Sequence, residues 1–96
     1  MSDQPVALIT GASSGIGLAT ARTFLENGVH VVGVARDAAK LDTAAEGLTG
    51  LPARFAPVAL DVTADDSPAR AVRHAIDTFG RLDHLVNNAG IGSPAP

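Results

Sequence analysis

The sequence predicts an α/β protein built on a doubly wound parallel sheet, and two observations carry this prediction. Short apolar runs rich in branched residues alternate with segments whose apolar residues recur at helical spacing, in the order βαβαβαβ. The connections between them are short, which favours parallel strands joined by right-handed helical crossovers. The alternation stops at a fourth strand, so we expect residues 1–96 to form an incomplete sheet that belongs to a larger domain.

Four segments are predicted to be strands. The first covers residues 6–9, a continuous branched run that is typical of a strand buried on both faces. The others cover His30–Ala35, residues 54–60 and residues 84–86. Pro57 lies inside the third strand and cannot donate to a hydrogen-bond ladder, so this strand is expected at a sheet edge. An edge position for the third strand fits the strand order 3-2-1-4.

Three helices are predicted between these strands. The first opens near Gly15 and ends at Asn27 and Gly28, which accept a left-handed conformation. Asp37 is the expected N-cap of the second helix, and Ser67 is the expected N-cap of the third. The predicted buried stripes are Ile16, Ala19, Thr20, Thr23 and Phe24 in the first helix, Leu41, Ala44, Ala45 and Leu48 in the second, and Val72, Ala75, Ile76 and Phe79 in the third.

Composition and charge argue against several classes of protein. Seven Lys and Arg against ten Asp and Glu give a net charge of -3 without a basic cluster, so no nucleic-acid partner is expected. No apolar stretch approaches the roughly 20 residues that span a bilayer, and residues 1–5 do not resemble a secretory signal. The sequence has no cysteine and three scattered histidines. This argues against disulfides and a metal site, and it favours a cytoplasmic location.

Three glycines, Gly11, Gly15 and Gly17, stand where the first strand passes into the first helix. A tight turn there brings backbone N–H groups close to a pyrophosphate, and the helix N-terminus adds the positive end of its dipole. Ser13 and Ser14 can donate hydrogen bonds to the same phosphates. The placement favours dinucleotide phosphates over the alternative, an ordinary glycine-rich loop with a serine N-cap. The Gly-Lys-Ser/Thr ending of a nucleoside-triphosphate loop is missing, so phosphoryl transfer is not expected.

Three motifs follow one another along the chain. They are Thr-Gly-Ala-Ser-Ser-Gly-Ile-Gly at residues 10–17, Asp-Val at residues 61–62 and Asn-Asn-Ala-Gly at residues 87–90. In this order and spacing they resemble the short-chain dehydrogenase/reductase family, over a region from about residue 6 to residue 91. The resemblance implies a Rossmann-type fold. It also implies a homo-oligomeric oxidoreductase that transfers a hydride between a nicotinamide cofactor and a small carbonyl or alcohol substrate.

The resemblance also implies a role for each matching residue. Asn87 is expected to steady the sheet. From the residues alone, Asp61 is also compatible with a turn residue at a strand end, and the paired asparagines are compatible with a polar turn. The family pattern places Gly11, Ser13, Ser14, Gly15, Ile16 and Gly17 at the pyrophosphate, Asp61 and Val62 beside the adenine, and Asn88, Ala89 and Gly90 against the adenosine ribose.

The end of the second strand bears on the choice of nicotinamide cofactor. An NAD-selective site carries an acidic residue there to bind the ribose hydroxyls, but this sequence has Ala35 followed by Arg36. The Arg36 guanidinium can pair with a 2′-phosphate, so NADP rather than NAD is the expected cofactor. The alternative for Arg36 is a solvated loop arginine beside Asp37. Lys40 is interpreted as a solvated helix residue, and the alternative is that it helps to neutralise the 2′-phosphate.

No catalytic residue is assigned. The resembled family uses a tyrosine acid/base, a lysine four residues later, and an assisting serine and asparagine. This sequence has no tyrosine, and its one lysine, Lys40, lies early on a helix. Ser93 has no evident base partner, and Asp65 with Asp66 is interpreted as charge at a helix N-terminus. We therefore expect a truncated, inactive cofactor-binding part of an enzyme. The alternative is a stand-alone, non-catalytic dinucleotide-binding module.

Overall fold

The computed structural model describes residues 4–61 and 67–88, and every predicted strand and helix is present there. Within these ranges, no helix combines the length and the apolar character that crossing a membrane requires. The functional candidates that lie outside the described residues are Val62, Asp65, Asp66, Ala89, Gly90 and Ser93. In chain order the elements are β1 (Val6–Thr10), α1 (Gly15–Glu26), β2 (His30–Ala35), α2 (Ala38–Gly47), β3 (Phe55–Ala59), α3 (Ser67–Phe79) and β4 (His84–Asn87).

The strands form one parallel sheet in the order β3-β2-β1-β4, which confirms the predicted order. In the middle of the sheet, Ile9 of β1 lies opposite Gly33 of β2 and Val86 of β4. Pro57 lies opposite Gly33 on the edge strand β3. The edge position of the proline-bearing strand is therefore confirmed, and it agrees with the missing N–H of proline.

Two apolar layers cover the opposite faces of the sheet. Because side chains alternate along a strand, successive residues of β1 belong to different layers. Every residue of β1 and five of the six residues of β2 are buried, as their branched runs predict. The layer beneath α1 and α2 contains Ala7, Ile9, Ala12, Ala21, Leu25, Val31, Leu48 and Ala53, and the layer beneath α3 contains Val6, Leu8, Val32, Val34, Ala71, Ala75 and Phe79.

Helix α1 buries a different face from the predicted one. Its buried residues are Gly17, Ala21 and Leu25, whereas Ile16 of the predicted stripe is 68% exposed. The reason is a backbone contact, because a Cβ on Gly17 would overlap the carbonyl of Gly11. Gly17 therefore has to face the sheet, and its neighbour Ile16 is turned away from it.

Helix α3 also differs from its prediction in part. Ala75 and Phe79 are buried as expected, and Ala71 joins them. Val72 and Ile76 were predicted to be buried but are 38% and 44% exposed. The residues of α3 that contact the sheet are spaced at i, i+4 and i+8, namely Ala71, Ala75 and Phe79. Val72 and Ile76 each come one position later in the helix, so they lie beside this row of contacts. The small alanines let α3 lie close to the sheet, which leaves the larger side chains at the margin of the contact.

Helix α2 follows its prediction closely. Leu41, Ala44 and Leu48 are buried. Asp37 is the N-cap, and its carboxylate accepts a hydrogen bond from the Lys40 N–H at 3.1 Å. This bond satisfies one of the N–H groups that every helix leaves without an internal partner.

Candidate functional site

The predicted site residues follow the carboxyl ends of the parallel strands, which meet at one edge of the sheet. The glycine turn, residues 11–14, comes after β1. Arg36 comes directly after β2, Asn88 comes directly after β4, and Asp61 lies two residues past β3. Ligands of doubly wound sheets bind outside these strand ends, so the described candidates share the edge where a ligand is expected.

The glycine turn has a backbone that only glycine adopts without strain. Gly11 and Gly15 have φ values of 64° and 59°, in the left-handed region. Apart from its chain neighbours and the adjoining helix backbone, no described atom lies within 4 Å of the position that a Cβ on Gly15 would take. A Cβ on Gly17 would lie 2.7 Å from the carbonyl carbon of Gly11 and 3.3 Å from the Cα of Ala12. The turn is therefore in tight contact with α1, while the position beside Gly15 is open.

The N-terminus of α1 has N–H groups free for a ligand. Ser14 is in the N-cap position with an extended backbone, but its side chain makes no capping hydrogen bond. The first turn of α1 carries no acidic residue. Because the first N–H groups of a helix have no internal acceptor, this end favours an anion. Ser14 and Ile16 are exposed and Ser13 is half-buried, so the three side chains are accessible at this end of the helix.

Thr10 joins the glycine turn to the end of β4. Its hydroxyl donates to Asn87 Oδ1 at 2.9 Å and accepts the N–H of Asn88, also at 2.9 Å. Thr10 is only 8% exposed. The motif alone does not reveal this role of Thr10, because its partners lie 77 and 78 residues away. The bond to Asn87 agrees with the sheet-steadying role expected of that asparagine.

Asn88 carries an unused donor at the same edge. Within the described part of the chain, its buried Nδ2 has no hydrogen-bond partner. A buried donor without an acceptor costs free energy, so the site suits a ligand that brings acceptor oxygens to this amide. A ribose with its hydroxyls and phosphates fits that requirement.

Basic side chains stand on the other side of the glycine turn. Arg36 is exposed, and within residues 4–61 and 67–88 it makes no ion pair. The nearest acid, Asp37, uses its carboxylate to cap α2. Lys40 lines a cleft of about 660 Å³ between α1 and α2, together with Ser13 and Gly15 of the glycine region. Positive charge therefore adjoins the turn, and no ion pair neutralises Arg36 within the described ranges.

The opposite end of the sheet, at the start of β2, holds His30, one of the three scattered histidines. Its ring is buried and stacks on Phe79 with centroids 4.6 Å apart. Nδ1 accepts the N–H of Arg54 at 3.0 Å. Burial, and after it the charge of Arg54, lowers the pKa of His30, which favours the neutral ring. The ring has a structural role there, and the described residues contain no metal-ligating cluster.

Asp83 ties the start of β4 to the start of β1. Its carboxylate accepts the N–H of Val6 at 2.9 Å and two hydrogen bonds from Arg81 at 2.8 Å. The hydrogen bonds from Arg81 and then from Val6 lower the pKa of Asp83 to about 2. This carboxylate therefore supports the sheet far from the glycine turn and stays ionised over most of the acid range.

Comparisons with known proteins agree with the fold and with the motifs. A sequence model of the family described as short chain dehydrogenase matches residues 5–96. A 3-oxoacyl-[acyl-carrier-protein] reductase from Thermotoga maritima is 42% identical over 86 residues, which cover 90% of this chain and 35% of the relative. A serine 3-dehydrogenase from Agrobacterium fabrum is 42% identical, with 93% of this chain and 36% of the relative covered.

Solved structures give the same result. L-sorbose reductase from Gluconobacter frateurii, in a complex with NADPH and L-sorbose, is 45% identical with a TM-score of 0.86, covering 94% of this chain and 35% of that protein. A 3-oxoacyl-[acyl-carrier protein] reductase from Brucella melitensis is 34% identical with a TM-score of 0.86. The match covers 98% of this chain and 37% of that protein. The chain thus spans about a third of the length of these relatives. Since the family model covers nearly all of the sequence, the chain belongs to the short-chain dehydrogenase/reductase family of oxidoreductases.

Proposed function

We propose that this chain is the NADP(H)-binding part of a short-chain oxidoreductase that transfers a hydride between NADP(H) and a carbonyl or alcohol substrate. The observation that carries the proposal is the glycine turn. It opens a helix whose N-cap serine makes no cap bond, and it leaves open space beside Gly15. Backbone N–H groups around such a space suit the two phosphates of a dinucleotide.

The residues around the turn have distinct roles in this proposal. Ser13 and Ser14 donate to the pyrophosphate, and Ile16 packs against the bound cofactor from its exposed position. Asn88 uses its free Nδ2 toward the adenosine ribose. Asp61 and Val62 border the adenine, and Ala89 and Gly90 complete the ribose contact; these assignments extend the family pattern to this chain.

The preference for NADP is supported by charge. Ala35 offers no carboxylate to the ribose hydroxyls, whereas Arg36 is exposed at the end of β2 and free of ion pairs among the described residues. A guanidinium there can form charge-assisted hydrogen bonds with the 2′-phosphate that distinguishes NADP from NAD. The L-sorbose reductase that this chain resembles was solved with NADPH, which is in line with this preference.

The chemistry divides between the cofactor and the protein. When bound, the nicotinamide would supply the hydride that reduces a carbonyl or accept the hydride of an alcohol. A residue within hydrogen-bond reach of the reacting oxygen must donate a proton in the reduction and accept one in the oxidation. The sequence has no tyrosine for that role, and Lys40 lies on α2. We therefore assign binding and orientation of the cofactor to these residues and propose that the 96-residue chain alone does not turn over NADPH.

A second candidate function is a dinucleotide-binding module without catalysis, as the missing tyrosine also allows. The two candidates predict different results when the purified gene product is assayed with NADPH. Oxidation of NADPH by a carbonyl substrate in a purified gene product that contains this segment supports the oxidoreductase. Binding of NADPH without turnover over a broad carbonyl panel supports the module.

The first test addresses the glycine turn. Gly15→Val should abolish NADPH binding in calorimetric titrations of the 96-residue chain, because the branched side chain fills the open space beside the turn. Gly50→Val is the matched control. Gly50 also has a left-handed φ, 82°, and open surroundings, but it lies after α2, away from the turn. If both variants are folded by circular dichroism and bind equally well, the turn does not hold the cofactor.

The second test addresses cofactor choice. Arg36→Ala should weaken NADPH binding by about 1.5–3 kcal/mol, the scale of a charged hydrogen bond, and leave NADH binding almost unchanged. Arg73→Ala is the control, because Arg73 is exposed on α3 at the other face of the sheet. Equal losses for the two cofactors would exclude a 2′-phosphate role for Arg36. A folded chain that binds neither cofactor would overturn the proposed function itself.

A further inference from the structure

The middle of β2 contains a glycine whose missing side chain makes room for an aromatic ring. A Cβ on Gly33 would overlap the ring of Phe55, and it would lie 3.1 Å from the Cβ of Ala12. The Phe55 ring and the Ala12 methyl group therefore both lie over the bare backbone of Gly33. Both residues belong to the apolar layer beneath α1 and α2. Gly33 of β2 thus lies between a side chain of the edge strand β3 and a residue of the glycine turn after β1.

Ala12 is held from several sides. It is fully buried, and its N–H donates to the carbonyl of Val34 at 3.2 Å, which fixes the turn to β2. On the side of α1, the Cβ position of Gly17 lies 3.3 Å from the Cα of Ala12. The turn is thus packed between the helix and the sheet. On the sheet side, the edge of the Phe55 ring takes the place of the side chain that Gly33 lacks.

We propose that Phe55 is a positioning residue for the glycine turn, acting through Ala12 so that the backbone N–H groups of the turn face the pyrophosphate. This inference rests on the proposed function, because it assumes that the turn holds phosphate. Packed interiors transmit displacements of one residue to the next. A smaller side chain at residue 55 leaves a gap beneath Ala12, and the turn can then settle away from the geometry that a phosphate needs.

The simpler explanation is that Phe55 only contributes to the apolar core. On that explanation, replacing Phe55 lowers the free energy of unfolding but does not weaken phosphate binding selectively. A matched residue separates the two explanations. Val58 lies on the same strand and is also half-buried, but it packs in the layer beneath α3, on the other face of the sheet. Val58→Ala therefore weakens the same strand without touching Ala12.

Two nucleotides probe the two ends of the site. Adenosine 2′-phosphate carries no phosphate at the 5′ position, whereas 2′,5′-ADP adds the phosphate that would reach the glycine turn. We expect Phe55→Leu to weaken 2′,5′-ADP binding at least fivefold and to change adenosine 2′-phosphate binding less than twofold. Val58→Ala should leave the ratio of the two affinities as in the unaltered chain. Titrations are made well below the unfolding temperature of each variant.

Amide hydrogen exchange at Ala12 gives a readout that needs no ligand. Phe55→Leu should increase the exchange rate of the Ala12 N–H more than Val58→Ala does. The two variants are compared under conditions in which their free energies of unfolding are equal. An unchanged affinity ratio and an unchanged Ala12 rate in Phe55→Leu would overturn the inference, as would equal changes in both variants. Failure of the unaltered chain to bind 2′,5′-ADP would contradict the proposed function instead, and the exchange rates would still decide the role of Phe55.

Discussion

Leu8 and Leu85 are the same residue type in neighbouring parallel strands, directly opposite each other in register. Leu8 is 2% exposed, and Leu85 is 66% exposed. The difference comes from position in the sheet, because β1 lies between two strands and β4 lies at an edge. The comparison shows that an apolar residue in a strand is buried only if the fold places neighbours on every side of it.

The same contrast divides the candidate site into two halves. The half after β1 rests on a fully buried strand and on tight backbone packing between Gly11 and Gly17. The half after β4 rests on a mostly exposed strand that pairs with β1 in the sheet. Side-chain hydrogen bonds reinforce this pairing, from Thr10 at one end and Asp83 at the other. Apolar burial therefore supports the glycine turn, and polar contacts support Asn88.

The pair Leu8 and Leu85 gives the largest expected effect. Leu8→Ala should lower the free energy of unfolding by about 2–5 kcal/mol, because it leaves a cavity in the layer beneath α3. Leu85→Ala should change it by less than about 0.5 kcal/mol, since the side chain already faces solvent. Urea denaturation of dilute samples of both variants measures the difference. Equal losses would show that β4 is covered in solution, for instance by association of the chain.

A smaller effect is expected at the junction between the two halves. Thr10→Val should destabilise the chain by about 1–2 kcal/mol, because Asn87 Oδ1 loses its donor and the Asn88 N–H loses its acceptor. Thr20→Val is the control, since the Thr20 hydroxyl bonds to the carbonyl of Ile16, within α1. We expect that variant to stay within about 0.5 kcal/mol of the unaltered chain. If the two variants unfold at the same urea concentration, the Thr10 hydroxyl does not join β1 to β4.

The comparison also explains which features the sequence could reveal. Local chemistry predicts the strands, the glycine turn and the Asp37 cap, because each depends on residues close together in the chain. The buried face of α1 was mispredicted because it depends on the contact between Gly17 and Gly11, which periodicity alone does not show. The exposure of Leu85 depends on the order of strands in the sheet.

Functional contacts between distant segments were the hardest to predict. Thr10 bonds to Asn87 across 77 residues, and Phe55 and Ala12 can both lie against Gly33 only because Gly33 has no side chain. A single glycine within a run of branched residues is the one signal that marks this contact, since glycine weakens a strand unless another group needs the space. The motifs therefore locate the site, and the structure adds the residues that hold it in place.

The smallest expected effect is the pH dependence of the bonds that Asp83 makes at the start of β4. Its pKa is about 2 in the folded chain, below the usual 3.8, so the unfolded chain binds more protons between these values. The stabilisation that Asp83 provides should be complete above pH 3.8 and should be lost as the pH falls toward 2. Asp83→Asn should remove that part of the acid dependence.

Thermal unfolding at a series of pH values between 5 and 2 measures this contribution. Asp42→Asn is the control, because it removes one carboxylate from the exposed surface of α2, away from β4. The two variants lose the same formal charge, so a difference in their acid slopes reports the bonds from Asp83 to Val6 and Arg81. Parallel slopes for Asp83→Asn and the unaltered chain would mean that these bonds do not hold β4 to β1. In that case, Thr10 would be the main side-chain link between the two strands, beside their backbone pairing.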